Sequence, residues 1–113
     1  MPDEERLRAA ATKFQEIQTQ FESVVDSQQQ LLSQLSENQQ VQKEFGSLAP
    51  DARVYKRTGP VLLPQDFKEA RVNVEKRIEF IQNEIKRVED KIQSLGTQRD
   101  TIRNDILAIQ QGS

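Results

Sequence analysis

One apolar residue returns at every seventh position through the second half of this chain: Phe67, Val74, Ile81, Val88, Leu95, Ile102 and Ile109. Four residues after each of the first six stands Arg71, Ile78, Ile85, Ile92, Arg99 or Ile106, so 11 of the 13 positions are apolar. This alternation lays a narrow apolar seam along an α-helix, and such a seam is buried best against another helix. The expected element is a coiled-coil helix over about 66–110. Pro64 closes the segment before it, Asp66 can cap it, and Glu69 three residues on completes a capping-box pattern. Gly96 costs about 1 kcal/mol inside a helix. The repeat nevertheless keeps its phase from Leu95 to Ile102, so the helix is expected to run through it.

The first half repeats the pattern less cleanly. Leu7, Phe14, Phe21, Gln28, Leu35 and Gln42 fall at one seam position, and Ala10, Ile17, Val24, Leu31, Asn38 and Phe45 at the other. Gln28, Asn38 and Gln42 weaken the seam, but buried amides can set register in a coiled coil. Gly46 and Pro50 end this helix, which is expected over about 3–48. At about 1.5 Å per residue both helices measure roughly 65–70 Å. Equal heptad helices joined by a short linker fold back most simply as an antiparallel pair, with Phe45 near Phe67 at one end and Leu7 near Ile109 at the other. Arg71 and Arg99, the two charges on the second seam, are expected to pack their stems and send their heads to solvent or to a Glu of the first helix.

Composition excludes several function classes. Of the 113 residues 35% are hydrophobic and 30% charged, too apolar-poor for an ordinary compact core. The net charge is -2, and basic pairs such as Lys86 and Arg87 stand among Glu84, Glu89 and Asp90, which disfavours a nucleic-acid partner. No His and no Cys are present, so the usual metal ligands and nucleophiles are missing. The four Gly are scattered, with no phosphate-binding loop. No enzyme activity, cofactor or metal is expected. The N-terminus "MPDEERLRAA" does not read as a secretory signal, and no run of apolar residues is long enough for a membrane span. A soluble, cytoplasmic protein is expected.

The segment "VYKRTGPVLLPQDFKEA" breaks the pattern. A β-rich run over 53–57, a turn at Thr58 and Gly59, and a second run over 60–64 read as a β-hairpin. A lone hairpin is marginal in water, and this one carries Val54, Tyr55, Val61, Leu62 and Leu63. Pairing edge to edge with hairpins of other chains, closing into a β-barrel, would remove the unpaired edges. An apolar loop packed on the helix ends is the simpler alternative. The expected fold is therefore mainly α: a long antiparallel two-helix coiled coil with one β-hairpin at the connection, the hairpin pairing with other subunits into a β-barrel.

From Val54 to Ile81 the chain, "VYKRTGPVLLPQDFKEARVNVEKRIEFI", closely resembles the β-class subunits of prefoldin, and the layout of the whole chain agrees. The resemblance implies one prefoldin β-type domain over 1–113. It implies assembly with α- and β-class subunits into a hetero-hexamer that hangs coiled coils from a double β-barrel. It further implies ATP-independent capture of unfolded proteins such as actin and tubulin, and their delivery to the cytosolic group II chaperonin. Val54, Tyr55, Lys56, Gly59, Pro60, Val61 and Leu62 carry over as assembly positions, and Leu63 joins them. Arg57 and Thr58 depart from the family pattern, which usually has an apolar residue before the glycine. So do Gly46, Ser47 and Pro50, which bear on the exit from the first helix. The end "QQGS", four residues past Ile109, leaves room for a longer native tail.

Client capture is expected at the free tips, where terminal heptads have incomplete partners and open cheaply. The candidates are Leu7, Ala10, Ala11, Phe14, Ile102, Ile106 and Ile109, with ordinary seam packing as the competing role, above all for Phe14 and Ile102. A structural coiled-coil scaffold, or a subunit of a prefoldin-like assembly-factor complex, is the alternative to a holdase.

Overall fold

The computed structural model describes residues 2–47, 54–58, 61–65 and 67–112, the two short middle stretches by their backbone. Helix α1 covers Pro2–Gly46, strands β1 and β2 cover Val54–Thr58 and Val61–Gln65, and helix α2 covers Phe67–Gln111. Helix α2 passes through Gly96 without interruption, as the unbroken repeat requires. Helix α1 stops at Gly46, two residues before the expected end. There the Ser47 N–H and its hydroxyl both donate to the Glu44 carbonyl, at 3.1 and 2.8 Å, closing the last turn. Asp66, the expected cap of α2, lies outside the described residues, as do Pro50, Gly59 and Pro60.

Strands β1 and β2 form an antiparallel two-stranded sheet in which Val54 pairs with Gln65 and Thr58 with Val61. Each strand thus lies one residue later than the expected 53–57 and 60–64. The last pair leaves two residues between the strands. Pro64 does not end the second strand: it stands inside β2 opposite Tyr55. Proline is tolerated there because both strands of a two-stranded sheet are edges.

The chain divides into two compact units, one made of 1–30 with 86–113 and the other of 31–85. In the second unit Ala70, Val74, Ile78, Ile81 and Ile85 of α2 are buried, and Leu31, Leu35, Asn38 and Phe45 of α1 are half-buried. The Phe45 and Phe67 rings meet edge to face with centroids 5.9 Å apart. The Asn38 side chain joins the helices: its Nδ2 donates to the Gln34 carbonyl at 2.7 Å and its Oδ1 accepts from Arg77 Nη1 at 3.3 Å. Both cross-helix contacts put later residues of α1 against earlier residues of α2, which makes the pairing antiparallel.

Two seam assignments are corrected here. Arg71 is not in the seam; its side chain is 56% exposed and its Nε lies 3.5 Å from Glu75 Oε1 on the same helix. Ala70 is buried in its place. A guanidinium loses hydration when buried, so the helix turns the small apolar neighbour inward instead. Gln42 is likewise exposed, leaving its amide hydrated between the half-buried Asn38 and Phe45.

In the first unit Ile17, Leu95 and Ile102 form the buried cluster, with Ala10, Phe14, Phe21, Val24 and Ile106 packed against it. Val88 is buried as well. The contacts run antiparallel here too, with Phe21 beside Arg99. Among the described residues no helix is long and apolar enough to cross a membrane.

Candidate functional site

Burial along α2 fades toward its C-terminus. From Ala70 to Val88 five of the apolar seam residues after Ala70 (Val74, Ile78, Ile81, Ile85 and Val88) are buried, whereas Ile106 and Ile109 are only half-buried. The first turns of α1 match: Leu7, Ala10 and Phe14 are half-buried, and Ala11 is exposed. The first unit thus brings Ala10, Phe14 and Ile106 together around one cluster, and it buries Ile102 within that cluster. Ile102 is a packing residue in this state, and Ala11 stands off the seam. Leu107, which the heptad pattern did not single out, is 46% exposed in the same stretch. No periodic signal marks it, because it lies outside both seam positions.

Arg99 does not reach a Glu of α1. Its Cζ lies 4.8 Å from the centre of the Phe21 ring, and its Nε stands 3.6 Å from Asp100 Oδ1, the adjacent residue of its own helix. Asp100 also accepts from Arg103 Nη2 at 3.0 Å. Cation–π contact recovers part of what hydration would supply to a half-buried guanidinium. The Nε nonetheless stays buried with no hydrogen-bond partner. Arg99→Leu removes that cost and completes the apolar seam beside Phe21. It is expected to raise the thermal midpoint, by about 1 kcal/mol of stability on the usual cost of an unsatisfied buried donor. Circular dichroism melts check this; an unchanged or lower midpoint would show that the ring contact outweighs the orphaned donor.

The hairpin residues Val54, Tyr55, Lys56, Val61, Leu62 and Leu63 all lie in the paired strands, with Lys56 opposite Leu63 and Leu62 opposite Arg57. Among the described residues no group of His, Cys, Asp or Glu is placed to hold a metal. Away from the seams, Leu32, Val72 and Phe80 expose large apolar side chains, Phe80 to 64%.

Comparison with known proteins places this architecture. The family profile described as prefoldin subunit matches residues 8–113. Prefoldin subunit 6 of Saccharomyces cerevisiae is 41% identical over 97 residues, covering 86% of this chain and 85% of the yeast protein. Prefoldin subunit 6 of Homo sapiens is 34% identical over 108 residues, covering 96% of this chain and 84% of the human one. The fold is similar to the crystal structure of the prefoldin beta subunit from Thermococcus strain KS-1, with a TM-score of 0.83 at 22% identity over 91% of this chain and 90% of that one. The resemblance carried by 54–81 thus extends over nearly the whole length, to relatives named prefoldin subunit 6 in sequence and to a prefoldin beta subunit in fold. The chain belongs to the prefoldin family of non-enzymatic co-chaperones.

Proposed function

We propose that this chain is a subunit of a hexameric, ATP-independent co-chaperone that captures unfolded proteins, such as actin and tubulin, in the cytoplasm and delivers them to the group II chaperonin. Its hairpin pairs with those of other α- and β-class prefoldin subunits to close a β-barrel, with Val54, Tyr55, Lys56, Gly59, Pro60, Val61, Leu62 and Leu63 as the assembly positions. Leu7, Ala10, Ala11, Phe14, Ile102, Ile106 and Ile109 serve the client.

The observation that carries capture is the incomplete burial of apolar residues near the helix ends of the first unit, where Leu7, Ile106 and Ile109 stay partly open and Leu107 is exposed. Unfolded chains offer apolar segments that such surface can cover, and several subunits in one assembly multiply weak contacts into avidity. Two open edges on the β1–β2 sheet support assembly through the hairpin.

The test is to reconstitute the hexamer with a chain lacking 1–10 and 106–113, confirm assembly by native mass spectrometry, and follow aggregation of denatured actin. Loss of most of the protection is expected. Full protection by the truncated complex would move the client site away from the tips, and no protection by the intact complex would remove the holdase reading in favour of a scaffold.

A further inference from the structure

Helix α2 has a weak stretch inside the first unit, well before its end. Gly96 sits within the helix, and a Cβ added there would meet nothing within 4 Å, so packing does not require a glycine. One turn on, Arg99 occupies a seam position with its Nε buried and without a hydrogen-bond partner. The Thr97 and Thr101 hydroxyls donate to the Gln93 and Thr97 carbonyls at 3.1 and 3.0 Å, a bonding pattern that loosens helices. An open groove of about 370 Å³ lies alongside, with Thr97 and Thr101 on its wall and Ile17 and Ile102 among its lining residues.

Each feature alone is ordinary. Together they put a poor helix former and a buried donor without a hydrogen bond between Leu95 and Ile102, two of the three buried residues of this unit's cluster, beside an open groove. We infer that 95–102 is a built-in opening segment, at which α2 parts locally from α1 and uncovers Ile17, Leu95 and Ile102 in advance of global unfolding. Its use in capturing clients rests on the function proposed above; its existence does not.

Hydrogen exchange on the assembled complex tests the opening directly. Amides of 95–102 are expected to show lower protection than those of 81–88. Gly96→Ala should raise protection in 95–102 about fivefold by the difference in helix propensity, and Arg99→Leu should raise it too, with 81–88 unchanged by either. Protection of 95–102 equal to that of 81–88 in the native chain, or no change on Gly96→Ala, would overturn the inference. The same complexes are then assayed for suppression of actin aggregation. If the native complex protects, the Gly96→Ala complex should need a severalfold higher concentration for equal protection; equal potency despite slowed exchange would show that opening is not used in capture. A native complex that does not protect removes the proposed function and leaves the exchange result standing.

Discussion

A chain carrying Leu62→Asp is expected to keep its two helices and to drop out of the assembly. Leu62 is the second residue of β2, opposite Arg57 in a sheet of only two strands. Such a sheet gains little stability by itself and leaves two backbone edges open, so its stability depends on what pairs with it. If neighbouring hairpins close a barrel around Leu62, an aspartate there loses its hydration and costs several kcal/mol unless a cation meets it. At about 1.4 kcal/mol per tenfold, a 3 kcal/mol penalty already weakens association more than a hundredfold. Native mass spectrometry of the chain mixed with its partner subunits, beside a helicity measurement, separates assembly from folding. A variant that enters the hexamer at normal stoichiometry and stability would show that the hairpin is not what joins the subunits.

The second large effect is internal. Ile81 is 3% exposed on the seam of α2, between buried Ile78 and Ile85. Truncating such a side chain costs about 2–5 kcal/mol, and placing a carboxylate there adds desolvation. Ile81→Asp is therefore expected to lower stability by more than about 4 kcal/mol and to expose amides of 31–45 and 67–85 to exchange. The adjacent Gln82 is exposed, and Gln82→Asp should stay within about 0.5 kcal/mol of the native chain. Similar thermal midpoints for the two variants would mean that the seam of this unit contributes little to its stability.

These expectations draw on two different sources. The existence, length and phase of both helices were legible in the chain, because an apolar repeat sustained from Phe67 to Ile109 is satisfied by one periodic conformation. The same repeat located Ile78, Ile81, Ile85, Leu95 and Ile102 in the core, and all five are buried. The contact of Phe45 with Phe67 followed from equal helices and a short connection. Prefoldin membership rested on the 54–81 motif, which heptads alone do not specify, and the family match over 8–113 agrees.

What periodicity left open is the choice between neighbours. Position counting cannot say that Ala70 enters the seam and Arg71 leaves it, since the two differ by one helical step, about 100°, and the choice turns on the hydration of a guanidinium. Nor can it say that Arg99 settles on the Phe21 ring or that Asn38 joins Arg77, because each depends on a side chain far away in sequence. The strands moved by one residue for a related reason: a hairpin's register belongs to both strands and its turn together, and no run of residue types in one strand encodes it. Which segments are helical, and which face of each is apolar, could be read from the residues alone, because those follow from local repetition. Which polar residues share that face, and how completely the seam is covered toward its ends, came only from the folded pair, because those depend on the partner surface that folding brings opposite.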